Sequence, residues 1–187
     1  MIIALFGVTC VGKTTIGRII AEELGYDFYD LDEEIKSYYN DTITNIQNGC
    51  LTWHTYDGKK IDALKSVLWK CKGNRNSIIA MSPIYYTAKY KKPFKERGVF
   101  LIELKDWPEE IAQRIVYTDD DDNPIEDFEI DIAHEIKETK RSISYFKNAY
   151  DKIENKYFID GKTAHEAAKE IIDMIQSGEL IPAYSVK

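Results

Sequence analysis

The sequence predicts an α/β fold in which a parallel sheet of five strands is covered by helices on both faces. Five short apolar runs are typical of strands, at residues 2–6, about 26–29, about 77–81, about 99–104 and about 157–159. Segments with helical spacing separate these runs along the chain. Strands that alternate with helices favour a parallel sheet, because parallel neighbours need a crossover connection that a helix usually supplies.

The first and last helices are marked by their spacing and by their ends. The first follows strand 2–6 and a short loop, and Gly25 is a typical residue for its C-terminal end. Its apolar positions share one face: Ile16, Ile19, Ile20 and Leu24. The last helix begins with residues 163–166, whose order Thr-Ala-His-Glu is typical of a capping box, and ends near Gly178.

Composition indicates one folded domain, and it argues against membrane and metal-thiolate proteins. The 187 residues are 44% hydrophobic and 30% charged, which is enough chain for one full hydrophobic core. No apolar run approaches the ~20 residues of a membrane span, and the first run is too short for a secretory signal. We therefore expect a cytoplasmic protein without a membrane partner. Cys10, Cys50 and Cys71 lack metal-ligand spacing and are expected to be reduced thiols.

The acidity of the chain is concentrated in one segment. Eight acidic residues lie between positions 119 and 131, and without them the net charge of −7 would be +1. This segment has no apolar period and contains Asn123 and Pro124, so we expect a mobile loop or lid at about 115–131. The basic residues of 89–97 form only a short run, which does not support a nucleic-acid partner. The acidic segment could dock on this run, on a bound metal or on a cationic acceptor, or it is only a solvated loop.

The segment GVTCVGKTT, residues 7–15, matches the phosphate-binding pattern GxxxxGK[ST]. In such a loop, backbone N–H groups turn inward around phosphate oxygens, and the following helix adds its positive N-terminal end. We expect Lys13 to reach the β and γ phosphates, Thr14 to offer its hydroxyl to Mg²⁺, and Thr15 to extend the polar first turn. The other nucleotide-binding positions of the loop are Gly7, Cys10, Val11 and Gly12. Alternatively, the segment is only a glycine-containing turn that joins a strand to a helix and binds no phosphate.

Two observations narrow the class of nucleotide-binding protein to which this chain could belong. The guanine signature NKxD of a GTPase is missing, since Asn155 and Lys156 are followed by Tyr-Phe. The stretch FYDLDEEI places Asp30 and Asp32 at the end of the second predicted strand, beside the phosphate-binding loop. One carboxylate can then face Mg²⁺ while the other faces a second ligand. Alternatively, Asp32 caps the helix that follows.

The order of these motifs resembles that of the shikimate kinase family over almost the whole chain. The resemblance includes the phosphate-binding loop, the two aspartates, a stretch at 49–57 similar to GxxxFRxxE, and Asp-Gly-Lys-Thr at 160–163. It also includes an RxxxYxxxA pattern at Arg141, Tyr145 and Ala149. The resemblance implies a three-layer P-loop kinase fold with a five-stranded parallel sheet, ATP with Mg²⁺, and phosphoryl transfer to a hydroxyl of shikimate or a related small acid or polyol.

The same resemblance implies a role for individual residues. Asp30 would hold Mg²⁺ through water, and Asp32 would bind the acceptor hydroxyl, for which a carboxylate is a suitable hydrogen-bond and proton acceptor. Arg141 would clamp a substrate carboxylate with its planar guanidinium, or would simply be a solvated helix charge. Arg114 would pack against adenine beside the loop 160–163. We expect one domain, 1–187, acting as a monomer on a small-molecule acceptor, with substrate-binding region about 32–65.

Three positions depart from the pattern of the family. His54 stands where a second carboxylate-binding arginine is usual, and a neutral imidazole offers a single hydrogen bond. Ser82, Pro83 and Ile84 replace a glycine triplet, and Asn123 replaces the arginine of the lid. Two alternatives therefore stay open: a kinase for a different acceptor, or a nucleotide-binding regulatory protein that has lost phosphoryl transfer. The retained Lys13 favours an enzyme, while the missing arginines favour altered or lost activity.

Overall fold

The computed structural model describes residues 1–71, 73, 75–85, 87–125 and 129–183. Five strands occur in this part of the chain: β1 (Ile2–Phe6), β2 (Asp27–Asp30), β3 (Ser77–Ala80), β4 (Phe100–Lys105) and β5 (Asn155–Phe158). The helices of the same residues are α1 (Lys13–Leu24), α2 (Leu31–Tyr39), α3 (Ile43–Asn48), α4 (Trp53–Lys70), α5 (Thr87–Arg97), α6 (Pro108–Ala112), α7 (Ile132–Tyr150) and α8 (Ala164–Ser177). The strands form one parallel sheet in the order β2-β3-β1-β4-β5, which confirms the predicted fold class.

The two faces of the sheet are covered by different helices. Alternate residues of β1 point to opposite faces, so Ile3 and Leu5 pack with α1 and α8. Ala4 and Phe6 pack with α4, α5 and α7 on the other face. Every residue of β1 is buried, as expected for the central strand of a sheet covered on both sides. Among the described residues, no helix is long and apolar enough to cross a membrane.

The carboxyl ends of the strands bring the candidate functional residues to one edge of the sheet. The P-loop follows β1, the aspartate pair follows β2, and residues 81–84 follow β3, which lies between β1 and β2. Gly7 has a φ of 144°, and a Cβ atom there would lie 2.6 Å from the carbonyl oxygen of Leu104. The start of the loop therefore requires glycine on both conformational and steric grounds.

The N-terminal end of α8 agrees with the sequence prediction, because the Thr163 hydroxyl and the Glu166 carboxylate form the predicted capping box.

The predicted lid is only partly described, because residues 126–128 lie outside the described residues. Its central turn pairs Thr118 with Pro124, and the Asp119 carboxylate accepts the N–H groups of residues 121 and 123. The segment 118–124 is therefore a hydrogen-bonded turn, and Asp131 caps α7.

Candidate active site

Lys13 lies at the start of α1, folded back across the P-loop. Its Nζ atom donates to the carbonyl oxygens of Gly7, at 3.1 Å, and Val8, at 2.7 Å. Burial lowers the pKa of Lys13 to about 8, although the neighbouring charges of Asp32 and then Cys10 and Asp30 act in the opposite direction. An anionic phosphate placed in the loop would favour the protonated amine and replace these carbonyl contacts.

Thr14 and Asp30 form a polar pair at the mouth of the loop. The Thr14 hydroxyl donates to Asp30 Oδ2 at 2.5 Å, and Asp30 Oδ1 accepts the N–H of Asp32 at 2.9 Å. Asp30 is therefore the residue that caps α2, and the alternative in which Asp32 is the cap is wrong. A hydroxyl and a carboxylate beside a phosphate site fit Mg²⁺, which takes few protein ligands and completes its shell with phosphate and water. The described residues contain no cluster of three or more His, Cys, Asp or Glu that could hold a metal.

Asp32 occupies the first turn of α2, next to the end of β3. Burial raises the pKa of its carboxyl, and the Asp30 charge adds to that rise. A hydrogen bond from the Ser82 hydroxyl and the charges of Lys13 and Lys60 act in the opposite direction. A carboxyl with a raised pKa is better able to accept a proton from a hydroxyl at neutral pH.

These side chains open into one cavity of about 330 Å³. The predicted site residues that line it are Cys10, Gly12, Lys13, Thr14, Thr15, Asp30, Asp32 and Arg114, and the other lining residues are Thr9, Ala80, Met81 and Pro83. Gly7 and Val11 instead border a smaller cavity behind the P-loop. The cavity is thus continuous from the phosphate-binding loop to the carboxyl of Asp32.

Two predicted acceptor residues are not among those that line the cavity. His54 is exposed in the first turn of α4. The side chain of Arg141 is 62% exposed and donates a hydrogen bond to Glu138, one turn earlier on α7. Arg114, which does line the cavity, is paired with Asp106 at 2.8 Å and lies 3.9 Å from Glu110.

The structure adds a buried charged pair that the sequence did not reveal. Lys60 of α4 is buried, and its Nζ atom donates to the carbonyl oxygen of Pro83 at 2.7 Å. It also lies 3.5 Å from Asp57 Oδ1 and 4.3 Å from the centre of the Tyr56 ring. The available signal was the spacing, since Lys60 follows Tyr56 by four residues and Asp57 by three on the apolar face of the helix.

Two further contacts join segments that are distant in the sequence. The indole N–H of Trp107 donates to Asp160 at 2.8 Å, which joins the start of α6 to the predicted adenine-side loop. In the lid, Asp122 accepts the N–H of Ile43 at 2.9 Å and lies 3.9 Å from Lys36 Nζ. The lid therefore contacts the helices α2 and α3 on the side of the predicted substrate-binding region.

Comparison with known proteins identifies the family. The family model described as shikimate kinase matches residues 9–176. The chain belongs to the shikimate kinase family. A shikimate kinase from Bacillus licheniformis is 27% identical over 181 residues, which cover 95% of this chain and 94% of that enzyme. A 93-residue stretch is 34% identical to a pentafunctional AROM polypeptide from Eremothecium gossypii, and it covers 48% of this chain but only 6% of that polypeptide.

Solved structures agree with this assignment at the level of the fold. Shikimate kinase from Acinetobacter baumannii, in complex with shikimate, superposes with a TM-score of 0.70 at 22% sequence identity. The alignment covers 96% of this chain and 95% of that one. The two proteins therefore share the same fold.

Proposed function

We propose that this protein transfers the γ-phosphate of ATP to a hydroxyl group of shikimate or a related small acid or polyol. The observation that supports the proposal best is the single cavity that runs from Lys13 and Thr14 of the P-loop to the carboxyl of Asp32. A donor phosphate at the loop and an acceptor hydroxyl at Asp32 would lie in the same cavity. Positioning of the two reactants is the main catalytic contribution in phosphoryl transfer.

Each residue has a chemical task in this proposal. Lys13 would leave its two carbonyl partners and donate to phosphate oxygens, which stabilises the charge that the leaving group develops. Thr14 and Asp30 would hold Mg²⁺, which neutralises phosphate charge when it is bound. Asp32 would orient the acceptor hydroxyl and take its proton. Arg114 would stack on the adenine ring with the exposed face of its guanidinium.

The acceptor side is assigned to the region at about 32–65 and to the lid at about 115–131, within one domain of 187 residues. The shikimate bound to the A. baumannii enzyme supports a small hydroxylated ring as the acceptor class. We keep His54 and Arg141 as proposed contacts to the acceptor. Neither side chain lines the cavity, so each would have to move to reach an acceptor bound there. We further propose that the protein acts as a monomer in the cytoplasm.

A coupled assay of ADP release tests the proposal directly. With Mg²⁺ATP, addition of shikimate or a polyol should raise ADP release well above the rate with water alone. Phosphorylated product should appear in equal amounts by mass spectrometry. Asp32→Asn keeps the shape of the side chain but removes its basicity, so this variant should show a stimulation that is about 10- to 100-fold weaker while it still binds nucleotide.

A nucleotide-binding regulatory protein is the second candidate. It is favoured by Asn123, which stands in place of the lid arginine, and by Asp122, which ties the lid to α3. Arginine contacts to the transferring phosphate are worth about 10³–10⁵ in rate in related reactions. Tight binding of Mg²⁺ATP without any acceptor-dependent product would support this candidate over the kinase.

A further inference from the structure

The turn 118–124 is ordered by one of its four consecutive aspartates, and another contacts elements outside the turn. The Asp119 carboxylate accepts the N–H groups of residues 121 and 123. Residues 119–121 are exposed, whereas Asp122 is partly buried. The φ of Asp122 is 63°, a left-handed conformation that aspartate, asparagine and glycine adopt more readily than other residues. Asp119 therefore stabilises the turn from within, while Asp122 is available for contacts with other elements.

Asp122 joins this turn to two helices of the predicted substrate-binding region. Its Oδ2 atom accepts the N–H of Ile43, the first residue of α3, at 2.9 Å. The same oxygen lies 3.9 Å from Nζ of Lys36 in α2, which also pairs with Glu33 at 2.6 Å. Only 16% of the Asp122 side chain and 30% of the Lys36 side chain are exposed, so water screens their attraction less than in an open surface pair. One carboxylate therefore contacts both α2 and α3.

Helix α2 connects this contact to the carboxyl group that is proposed to bind the acceptor. Asp32 and Lys36 are four residues apart, so they lie on the same face of α2. The start of the helix is capped by the Asp30 carboxylate, and Lys36 of its last turn pairs with Asp122. The orientation of α2, which determines the position of Asp32, therefore depends on contacts at both ends of the helix.

The segment that contains this turn also approaches the nucleotide side of the cavity. The backbone of Val116 lies within hydrogen-bonding reach of the thiol of Cys10, a P-loop residue that lines the cavity. Asn123, at the position of the lid arginine, donates a hydrogen bond to the Asp119 carboxylate inside the turn. All of these partners are groups of the chain itself. The attachment of the turn therefore requires no contact with a phosphate group.

We propose that Asp122 is a positioning residue for the acceptor, because it attaches the turn 118–124 to α2 and α3 independently of nucleotide. The inference rests on the proposed function for its effect on the reaction, whereas the attachment can be tested without any reaction. A hydrogen bond to a charged group changes an equilibrium by a factor of about 10 or more. A small displacement of a group that binds a reactant can lower a rate by about 10²-fold. Loss of Asp122 should therefore affect use of the acceptor and leave nucleotide binding unchanged.

Hydrogen exchange of the nucleotide-free protein tests the attachment. Asp122→Gly removes the carboxylate and suits the left-handed backbone, so exchange at the Ile43 amide should become about tenfold faster or more. Asp120→Gly removes the same charge from an exposed position of the same turn and should leave this exchange as in the wild type. Equal exchange in the two variants, or protection of the Ile43 amide only after Mg²⁺ADP is added, would overturn the inference.

Steady-state kinetics test the positioning role, with the acceptor that gives the fastest ADP release. Asp122→Gly should lower kcat/KM for this acceptor about tenfold with little change in KM for Mg²⁺ATP, and Asp120→Gly should match the wild type. Asp122→Asn keeps an oxygen that can accept the Ile43 amide but lacks the charge, so its kcat/KM should lie between those of the wild type and Asp122→Gly.

Two kinetic outcomes would contradict the positioning role while the proposed function stands. These are unchanged acceptor kinetics in Asp122→Gly, and a loss of acceptor use that is matched by an equal rise in KM for Mg²⁺ATP. If the wild type phosphorylates no acceptor, the proposed function and the positioning role fail together. The hydrogen-exchange result then still decides whether Asp122 attaches the turn to α3.

Discussion

Replacing Lys60 by methionine should destabilise the protein far more than an ordinary lysine substitution. Methionine keeps the length and the apolar packing of the side chain but removes the cation beside Asp57 and the donor to the Pro83 carbonyl. Both charged side chains are nearly inaccessible, with 7% of Lys60 and 11% of Asp57 exposed. Removing one partner of a buried ion pair costs about 3–5 kcal/mol. For a chain of this size, that cost corresponds to a melting temperature lower by about 6–20 °C.

The same helix contains a matched control. Lys65 and Asp62 form an ion pair with the same spacing and a shorter distance, 3.0 Å, but their side chains are 59% and 52% exposed. Lys65→Met should therefore cost less than about 1 kcal/mol. Urea unfolding followed by circular dichroism measures both variants. Equal destabilisation by Lys60→Met and Lys65→Met would refute the argument from burial.

A double-mutant cycle separates the pair from general packing. Because Asp57→Asn removes the charge that Lys60 compensates, the double variant Asp57→Asn with Lys60→Met should be more stable than the sum of the two single changes predicts. The expected coupling is about 1–3 kcal/mol, the upper range for residues in contact. Strict additivity would mean that the two side chains do not interact energetically.

Four further predictions follow from the site. Lys13→Ala should weaken nucleotide binding about 10- to 100-fold by calorimetry, because a charged hydrogen-bond donor to phosphate is worth about 1.5–3 kcal/mol; equal affinity would exclude Lys13 from the phosphate site. Asp32→Asn should lower kcat/KM for the acceptor by a similar factor without affecting nucleotide binding, and unchanged acceptor kinetics would remove Asp32 from the acceptor site. Asp122→Asn, but not Asp120→Asn, should speed hydrogen exchange at the first amide of α3, and equal rates would show that the lid contact does not persist in solution. Burial lowers the pKa of Lys60, so there is a pH range in which the unfolded chain still holds this proton and the folded protein has released it. The stability of the wild type relative to Lys60→Met should therefore rise with pH up to the ordinary lysine pKa. A difference in stability that does not change with pH would contradict the lowered pKa.

Contiguous patterns explain how much of the fold could be predicted. The P-loop combines a strand, a glycine loop and a helix within residues 2–24, so one local motif fixes three elements and their order. Strands β3 and β4 were predicted within one residue of their observed ends because their apolar runs are bounded by polar residues. The ends of β2 were also predicted within one residue, although Asp30 both ends the strand and caps the next helix. Strand β5 begins at Asn155, two residues before the predicted run.

Features that depend on tertiary contacts could not be predicted. Whether Asp30 or Asp32 caps α2 depends on the backbone conformation at Asp30, which is extended and therefore lies outside the helix. The burial of Lys60 depends on the segment after β3, 23 residues later in the chain. The contact of Asp122 with Ile43 joins residues that are 79 positions apart, so no local sequence pattern could predict it.

Because β1 is the central strand, the two ends of the cavity are formed by different elements of the fold. The phosphate-binding loop is built by β1 and α1, whereas the proposed acceptor end is lined by the segments after β2 and β3. Helix α4 contacts the segment after β3, and the lid contacts α2 and α3. All three departures from the family pattern fall in the second group. A protein with this architecture can therefore change its acceptor specificity while its binding of the nucleotide donor stays the same. Exchange of α4 and the segment 82–84 together, rather than any single residue, is the unit by which such a protein could acquire a new acceptor.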